Sequence, residues 1–457
     1  MNRRLWIGLA ALMCGTLLAP LNSSMIAVAL TPIQRHYELT VAGASWLVTI
    51  FYLTAGVAQP VMGRIADAFG PRRVFACGMV AATIAAGFAP FAPSPLWLVL
   101  CRAVQAIGVS TSFPSALVIL RRHGQGGRLS VVATVNTISG AVGPVLGGVL
   151  TTTFGWTSLF WINLPLTIGA LVVALTVLGP DVRTVAPGFR ATVSAIDPLG
   201  VLAFAATIVC LLDVMLGLPH LDVLPGLLGV LVAGTLFLWR ERRARLPFVD
   251  VVALHRSPGL LSVLATFVLF NLAYYGAFYG LPLWFQNVRG LAARDAGLLI
   301  FPIAAFGALA TMAGSRLMQL AGLGRTLIVS AMLLVAGLAG VMLFGPDTQI
   351  WQIVAVGIVL GVPYGLSNLG LQRLMYERTP EHLTGVVGGL FQSSRYLGAI
   401  LAVGLVGSTA QSGIGALAAA MAAVAVVALL MTWRDTRVRR PPGATRPGAV
   451  VREVNSR

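Results

Sequence analysis

The sequence predicts an all-α integral membrane protein: two six-helix bundles flank a central two-helix insertion, giving fourteen transmembrane helices. Three observations predict it. Of 457 residues, 57% are apolar and only 10% charged, where soluble domains carry about 25% charged residues. The charge is gathered into short clusters separated by apolar runs of about 20 residues, the length a helix needs to cross the hydrocarbon core. Those runs fall in a six, two, six order. Helices satisfy their own backbone hydrogen bonds in lipid, so repeated runs of this length read as a bundle of spans. The alternating segments of about ten residues that a membrane β-barrel requires do not occur.

The first six spans lie at roughly 5–30, 43–63, 73–91, 95–120, 128–152 and 156–178. Arg3 and Arg4 precede the first as in a signal peptide. The apolar stretch is too long for one and lacks a small-residue cleavage site, so it is read as a retained span. A polar stretch carrying Asp181, Arg183 and Arg190 follows, then the central pair at roughly 198–218 and 223–239. Arg240, Glu241, Arg242, Arg243 and Arg245 close that section. Six more spans lie at roughly 258–286, 295–319, 326–344, 350–375, 383–408 and 413–433. The resulting domains are 1–180, a linker with two helices at 181–256, 257–434, and a tail at 435–457. The tail is rich in Arg, Pro and Gly and is expected to be disordered.

The formal net charge is +17, and every one of the 31 basic residues is Arg. With the N-terminus inside, about 26 fall on the inner side, three outside (Arg35, Arg289, Arg294) and two within spans. This positive-inside distribution predicts a multi-pass protein of the plasma (inner) membrane with both termini cytoplasmic. It also argues against nucleic acid, whose binding face sits on a soluble basic module. Cys14, Cys77, Cys101 and Cys210 lie in apolar runs without paired spacing and are expected to be small buried residues. The five histidines show no metal spacing, and no phosphate-binding loop appears. No metal, cofactor or enzymatic centre is expected.

Three motifs carry function. After the second span stands Gly63-Arg64-Ile65-Ala66-Asp67-Ala68-Phe69-Gly70-Pro71-Arg72-Arg73. Glycines let two helix ends approach closely, and the cations gather where a helix C-terminus is partly negative. At the same ordinal place in the second half stand Gly314, Arg316, Met318, Gly322, Gly324 and Arg325, a degenerate copy that suggests internal duplication. The fourth span holds Arg102 and Gln105; a guanidinium there costs about 2.5–3.5 kcal/mol and should face a wet pathway or a partner. Snorkelling to the interface is the competing reading. The fifth span carries Gly143, Pro144, Gly147 and Gly148, a small-residue face for close helix packing.

The first motif resembles the loop signature of the major facilitator superfamily at Gly63, Asp67, Gly70, Arg72 and Arg73, and the other two resemble its fourth- and fifth-helix motifs. With the strings Trp156–Pro165, Tyr279–Gln286 and Gly388–Gly398 and the central pair, the chain is similar to the fourteen-span drug:proton antiporters. The resemblance implies the major facilitator fold and a secondary exporter of the multidrug efflux type, functional as a monomer, with small-molecule substrates and protons as partners. It makes Gly63, Asp67, Gly70, Arg72 and Arg73 a conformational switch, and it implicates Arg102 in proton coupling. Asn22, Arg102, Gln105, Asn271, Tyr275, Tyr279 and Arg395 are the expected pathway residues.

One departure bears on mechanism. The family's first span carries a carboxylate where this chain has Asn22, which donates and accepts hydrogen bonds but cannot exchange a proton. Neither bundle has an obvious mid-membrane acid, and Arg102 and Arg395 make the pathway cationic. An exporter of a lipid, a cell-envelope precursor or an anionic metabolite, weakly proton-coupled or uncoupled, is therefore the alternative. A non-transporting sensor is the third reading.

Overall fold

The structure, a computed structural model, describes residues 3–122, 129–177, 181, 197–217, 222–244, 258–379, 384–409 and 413–437. Regular structure among them is helical throughout. The first half contains α1 (Arg3–His36), α2 (Val41–Phe69), α3 (Pro71–Phe88), α4 (Pro95–Ser110) with α5 (Ser112–Arg122), α6 (Leu129–Phe154), and α7 (Ser158–Trp161) with α8 (Asn163–Val177). The central pair is α9 (Pro198–Gly217) and α10 (Leu224–Arg243). The second half contains α11 (Pro258–Asn287), α12 (Ala293–Ala321), α13 (Leu323–Met342), α14 (Ile350–Glu377), α15 (Thr384–Thr409) and α16 (Gly413–Arg437). Among the described residues, 13 helical stretches are long and apolar enough to span a membrane, and α6 adds the shorter apolar piece Ile138–Phe154.

The structure revises several details of the sequence reading. Helices overrun the expected spans: α1 begins at Arg3 and ends at His36, and α16 continues to Arg437. Residues 435–437 of the expected tail are therefore helical, and the rest of it lies outside the described residues. Asp435 is 4% exposed and accepts from Ser262 Oγ at 2.8 Å, with Arg378 Nη1 at 3.7 Å. That buried pairing ties the ends of α11, α14 and α16 together. The fourth span is broken at Thr111, because Pro114 has no N–H to continue the helical ladder from Ser110. Cys77 is exposed, and the other three cysteines are half-buried. A lipid-facing surface is itself apolar, so a small apolar residue gains little there from being enclosed.

The two halves share one turn at the same ordinal place. α2 passes to α3 through the single residue Gly70 (φ 98°), and α12 passes to α13 through the single residue Gly322 (φ 85°). Both turns need the left-handed region, which glycine enters without a Cβ penalty.

The halves meet chiefly where α6 packs against α12, α2 against α15, and α1 against α11. Arg294 N donates to Thr152 Oγ1 (3.0 Å) and Gln286 Nε2 to the Val28 carbonyl (3.0 Å), closing the end at which α1 finishes. The central pair packs outside this seam. Val201, Phe204 and Phe237 meet Val61 and Ile65 of α2 and Leu390 of α15, while Leu231 and Val232 of α10 remain exposed.

Candidate functional site

A buried polar chain runs through the first half. Asn22 Nδ2 on α1 donates to Asn163 Oδ1 (2.7 Å) and to the Leu18 carbonyl (2.8 Å). Asn163 Nδ2 on α8 returns a bond to Asn22 Oδ1 (2.9 Å), and Gln105 Nε2 on α4 donates to the same oxygen (3.2 Å). Arg102 Nη1 donates to Gln105 Oε1 (3.0 Å), and its Nε to the Leu47 carbonyl (3.3 Å). Arg102 is 1% exposed, so it does not snorkel. Its guanidinium lies 4.3 Å from the centroid of the Phe51 ring, a contact that offsets up to about 2 kcal/mol of desolvation. Asn22 thus has both donors and both acceptor sites occupied within the protein, and its buried amide has no bonding capacity left for a solute in this conformation.

At the seam, six of the eight tyrosines gather from four helices: Tyr52 of α2, Tyr274, Tyr275 and Tyr279 of α11, Tyr364 of α14 and Tyr396 of α15. Tyr52 Oη lies 2.9 Å from Tyr279 Oη. Tyr279 donates to the Ser23 carbonyl (2.9 Å), so Tyr52 is the donor of that pair. Tyr274 stacks on Tyr364 with ring centroids 4.3 Å apart, and Tyr52 lies 5.5 Å from Tyr396. Arg395 is half-buried in the same group and donates through Nη2 to Gln392.

The structure therefore brings Asn22, Gln105 and Arg102 into one network and places Tyr275, Tyr279 and Arg395 in a neighbouring one. Asn271 stands apart: it is 0% exposed and donates to the Phe267 carbonyl (2.7 Å). It packs where Gly398 of α15 has no side chain. Asn163, Tyr52, Tyr364 and Tyr396 were not singled out from the sequence. Asn163 offered a signal, an amide inside an apolar stretch two residues before a proline. The lone tyrosines offered none, because their convergence is tertiary.

The switch segment has a partner that the sequence did not reveal. Asp181 accepts from the backbone N–H of Arg72 (3.1 Å) and Arg73 (3.0 Å), capping α3 from 109 residues away. Arg72 in turn donates through Nε to the Ala174 carbonyl (3.2 Å) and through Nη2 to Leu175, at the C-terminal end of α8. Each charge meets the helix end of opposite sign. A Cβ on Gly70 would fall 2.3 Å from the Asp181 carboxyl carbon, so glycine is needed for space as well as for its backbone angle. Gly63 faces Pro114 at ordinary contact distance, and the side chain of Asp67 lies outside the described residues. Asp181→Ala should cost about 1 kcal/mol at this cap. Turnover in reconstituted vesicles is then expected to fall about fivefold, the equivalent of that energy. Unchanged turnover would mean the cap plays no part in the transport cycle.

The packing motif of α6 serves two neighbours. Gly143 and Gly147 face Ser24 and Met25 of α1 in the same half. Gly148 faces Ala293 and Arg294 of α12, and the Pro144 carbonyl sits against Gly297, both across the seam.

Two packed helical bundles with a polar seam between them define a membrane transport protein rather than an enzyme. The family model of the Major Facilitator Superfamily matches residues 12–403, and the chain belongs to that superfamily. It is similar to the uncharacterised transporter YwoD of Bacillus subtilis, 34% identical and covering 87% of this chain and 89% of the relative. It is also similar to the tetracenomycin C resistance and export protein of Streptomyces glaucescens, 27% identical over 90% of this chain and 77% of that one. The methylenomycin A resistance protein of Streptomyces coelicolor is 28% identical, covering 88% and 85%. Among solved structures, a POT family peptide transporter aligns over 98% of this chain and 99% of its own with a TM-score of 0.67 at 16% identity. The nucleoside transporter NupG aligns over 94% and 99% with a TM-score of 0.66 at 13% identity.

Proposed function

We propose that the chain is a secondary active transporter that exports small amphipathic compounds by alternating access, of the multidrug efflux type. The observation that carries this reading is the gathering of tyrosines and the Arg395 guanidinium where the two halves meet, beside the Arg102 network of the first half. Secondary transporters of repeated architecture bind their solute at such an interface, near the midplane. Relatives named for antibiotic resistance and export support the outward direction. The functional unit of this reading is the monomer, since both sides of the seam come from one chain. Proton coupling, implied by the resemblance to drug:proton antiporters, cannot run through Asn22 and needs another group.

The proposed topology has fourteen crossings with both termini in the cytoplasm, and domains at 1–180, 181–256 and 257–434. Asp222 is exposed between α9 and α10. In a background without the native thiols, a cysteine at this position should react with an impermeant reagent added outside intact cells. Reaction only after permeabilisation would leave twelve crossings and a cytoplasmic hairpin.

Function is tested by offering a panel of amphipathic compounds to inverted vesicles, with and without an imposed pH gradient. Uptake of panel members that is absent from vesicles lacking the protein is expected. No uptake of any compound would favour the sensor reading.

A further inference from the structure

The charge balance of the seam points to the kind of compound it carries. Arg395 places a positive charge there, and Arg102 holds a second one in the adjoining polar chain of the first half. The ion pairs among the described residues are Arg240–Asp197, Arg373–Glu377, Arg378–Asp435 and Arg434–Asp435, all at helix ends. The buried acids among the described residues, Asp197, Glu241 and Asp435, also lie at helix ends, and Asp213 of α9 is exposed. Neither guanidinium is fully satisfied by its neighbours. Arg102 Nη2 and Arg395 Nε are buried and have no hydrogen-bond partner among the described residues. A buried cation with an unused N–H is costly unless something supplies an anionic acceptor.

We propose that the missing negative charge belongs to the cargo: the solute is an aromatic organic anion, and the membrane potential drives it out. This rests on the export reading above. Arg395 is the docking group, because Arg102 is already held by Gln105, the Leu47 carbonyl and the Phe51 ring, while among the described residues Arg395 has a hydrogen bond only to Gln392. A guanidinium edge suits a carboxylate or sulfonate, with charge-assisted bonds. Tyr52, Tyr275, Tyr364 and Tyr396 supply ring faces for an aromatic body and hydroxyls for its polar substituents. A permanently cationic solute would meet the like charge of Arg395 at the seam and that of Arg102 beside it.

The energetics follow from the charge. Moving one negative charge out of a negative-inside cell is worth about 2.3 kcal/mol per 100 mV, or about a fiftyfold gradient. An exporter of anions therefore needs no proton. The non-titrating, fully hydrogen-bonded Asn22 is then the expected group at a place where an antiporter would carry an acid.

The test uses purified protein in liposomes loaded with carboxyfluorescein, an aromatic anion, or with ethidium, an aromatic cation. A potassium gradient with valinomycin sets the potential at equal pH. Carboxyfluorescein should leave faster when the outside is positive and slower when the potential is reversed. A pH gradient at zero potential should change nothing. Arg395→Gln should raise the half-saturating concentration at least about tenfold, the loss of one charge-assisted bond, and Arg395→Lys should recover most of it. Export of ethidium without carboxyfluorescein overturns the anion assignment and leaves the efflux reading standing. Dependence on the pH gradient, or an unchanged half-saturation in Arg395→Gln, also overturns the proposal. No movement of either dye, in protein shown to be folded and inserted, overturns both readings.

Discussion

Gly148→Leu is expected to reduce transport at least about tenfold while the protein still folds and inserts. A Cβ at Gly148 would lie 2.6 Å from the Ala293 carbonyl oxygen and 3.0 Å from the Arg294 Cα. Across the same seam, a Cβ at Gly297 would lie 2.3 Å from the Pro144 carbonyl oxygen. These are backbone atoms of helices in register, so neither can swing aside as a side chain would. Overpacking of this kind costs about 1–3 kcal/mol. Within one bundle that cost falls on folding; between the bundles it falls on one conformation of the cycle. The substitution therefore disfavours the arrangement in which α6 and α12 close the end near Thr152 and Arg294. Its energy corresponds to about a 5- to 150-fold shift in population. Two measurements check this: the rate of solute efflux, and the reactivity of a cysteine at Ser23, which the closed seam buries. Efflux should fall and Ser23→Cys should become reactive from outside. Gly147→Leu makes a useful contrast, since its Cβ would meet the Met25 carbonyl oxygen at 2.7 Å inside the first half. It should lower the yield of folded protein. If Gly148→Leu leaves both efflux and labelling unchanged, the α6–α12 contact does not open during transport.

What the sequence made legible follows physical range. Helices, and hence the fold class, were readable because apolar runs of spanning length have few alternatives in lipid. Arg102, Gln105 and Asn22 stood out because polar groups within such runs are costly and need a reason. The fifth-helix glycines announced close packing, though not that Gly143 and Gly148 serve different neighbours. Asp181 shows where legibility ends. It is an ordinary acid in a polar linker, and nothing local marks it as the cap of a helix that begins 110 residues earlier. Tyrosine is equally silent, being at home in membrane interfaces, cores and binding sites alike. Tyr52, Tyr364 and Tyr396 each occupy separate helices, so only packing reveals that they share one cluster with Tyr275 and Tyr279. The break at Thr111 lay within reach, since Pro114 in mid-span predicts a lost hydrogen bond.

Asn22→Asp is expected to convert a transporter insensitive to pH into a pH-dependent one. In the native protein, Asn22 Nδ2 is a donor to Asn163 Oδ1 at 2.7 Å and to the Leu18 carbonyl at 2.8 Å. A carboxylate there would set an acceptor against two acceptors, leaving both without their hydrogen. Two responses can relieve the clash. The Asn163 amide can rotate to present its NH2, or the new acid can take up a proton and donate in place of the lost amide. Gln105 still donates from the other side and links the site to the Arg102 charge. Arg102 favours the ionised form and the unsatisfied carbonyls favour the protonated one, so transport should respond to pH where the wild type does not. A change of about tenfold in rate between the two forms corresponds to 1.36 kcal/mol, well within the worth of one buried donor. The added negative charge should also move the preference from carboxyfluorescein towards ethidium, because it compensates part of the seam's positive charge. Rates across pH 6–8 for both dyes, in wild type and variant, provide the check. As a control, Asn22→Leu removes the hydrogen bonds without adding a titrating group and should lower the rate at every pH alike. Superimposable pH profiles and an unchanged dye preference in Asn22→Asp would reduce Asn22 to a packing residue, uninvolved in how this protein is driven.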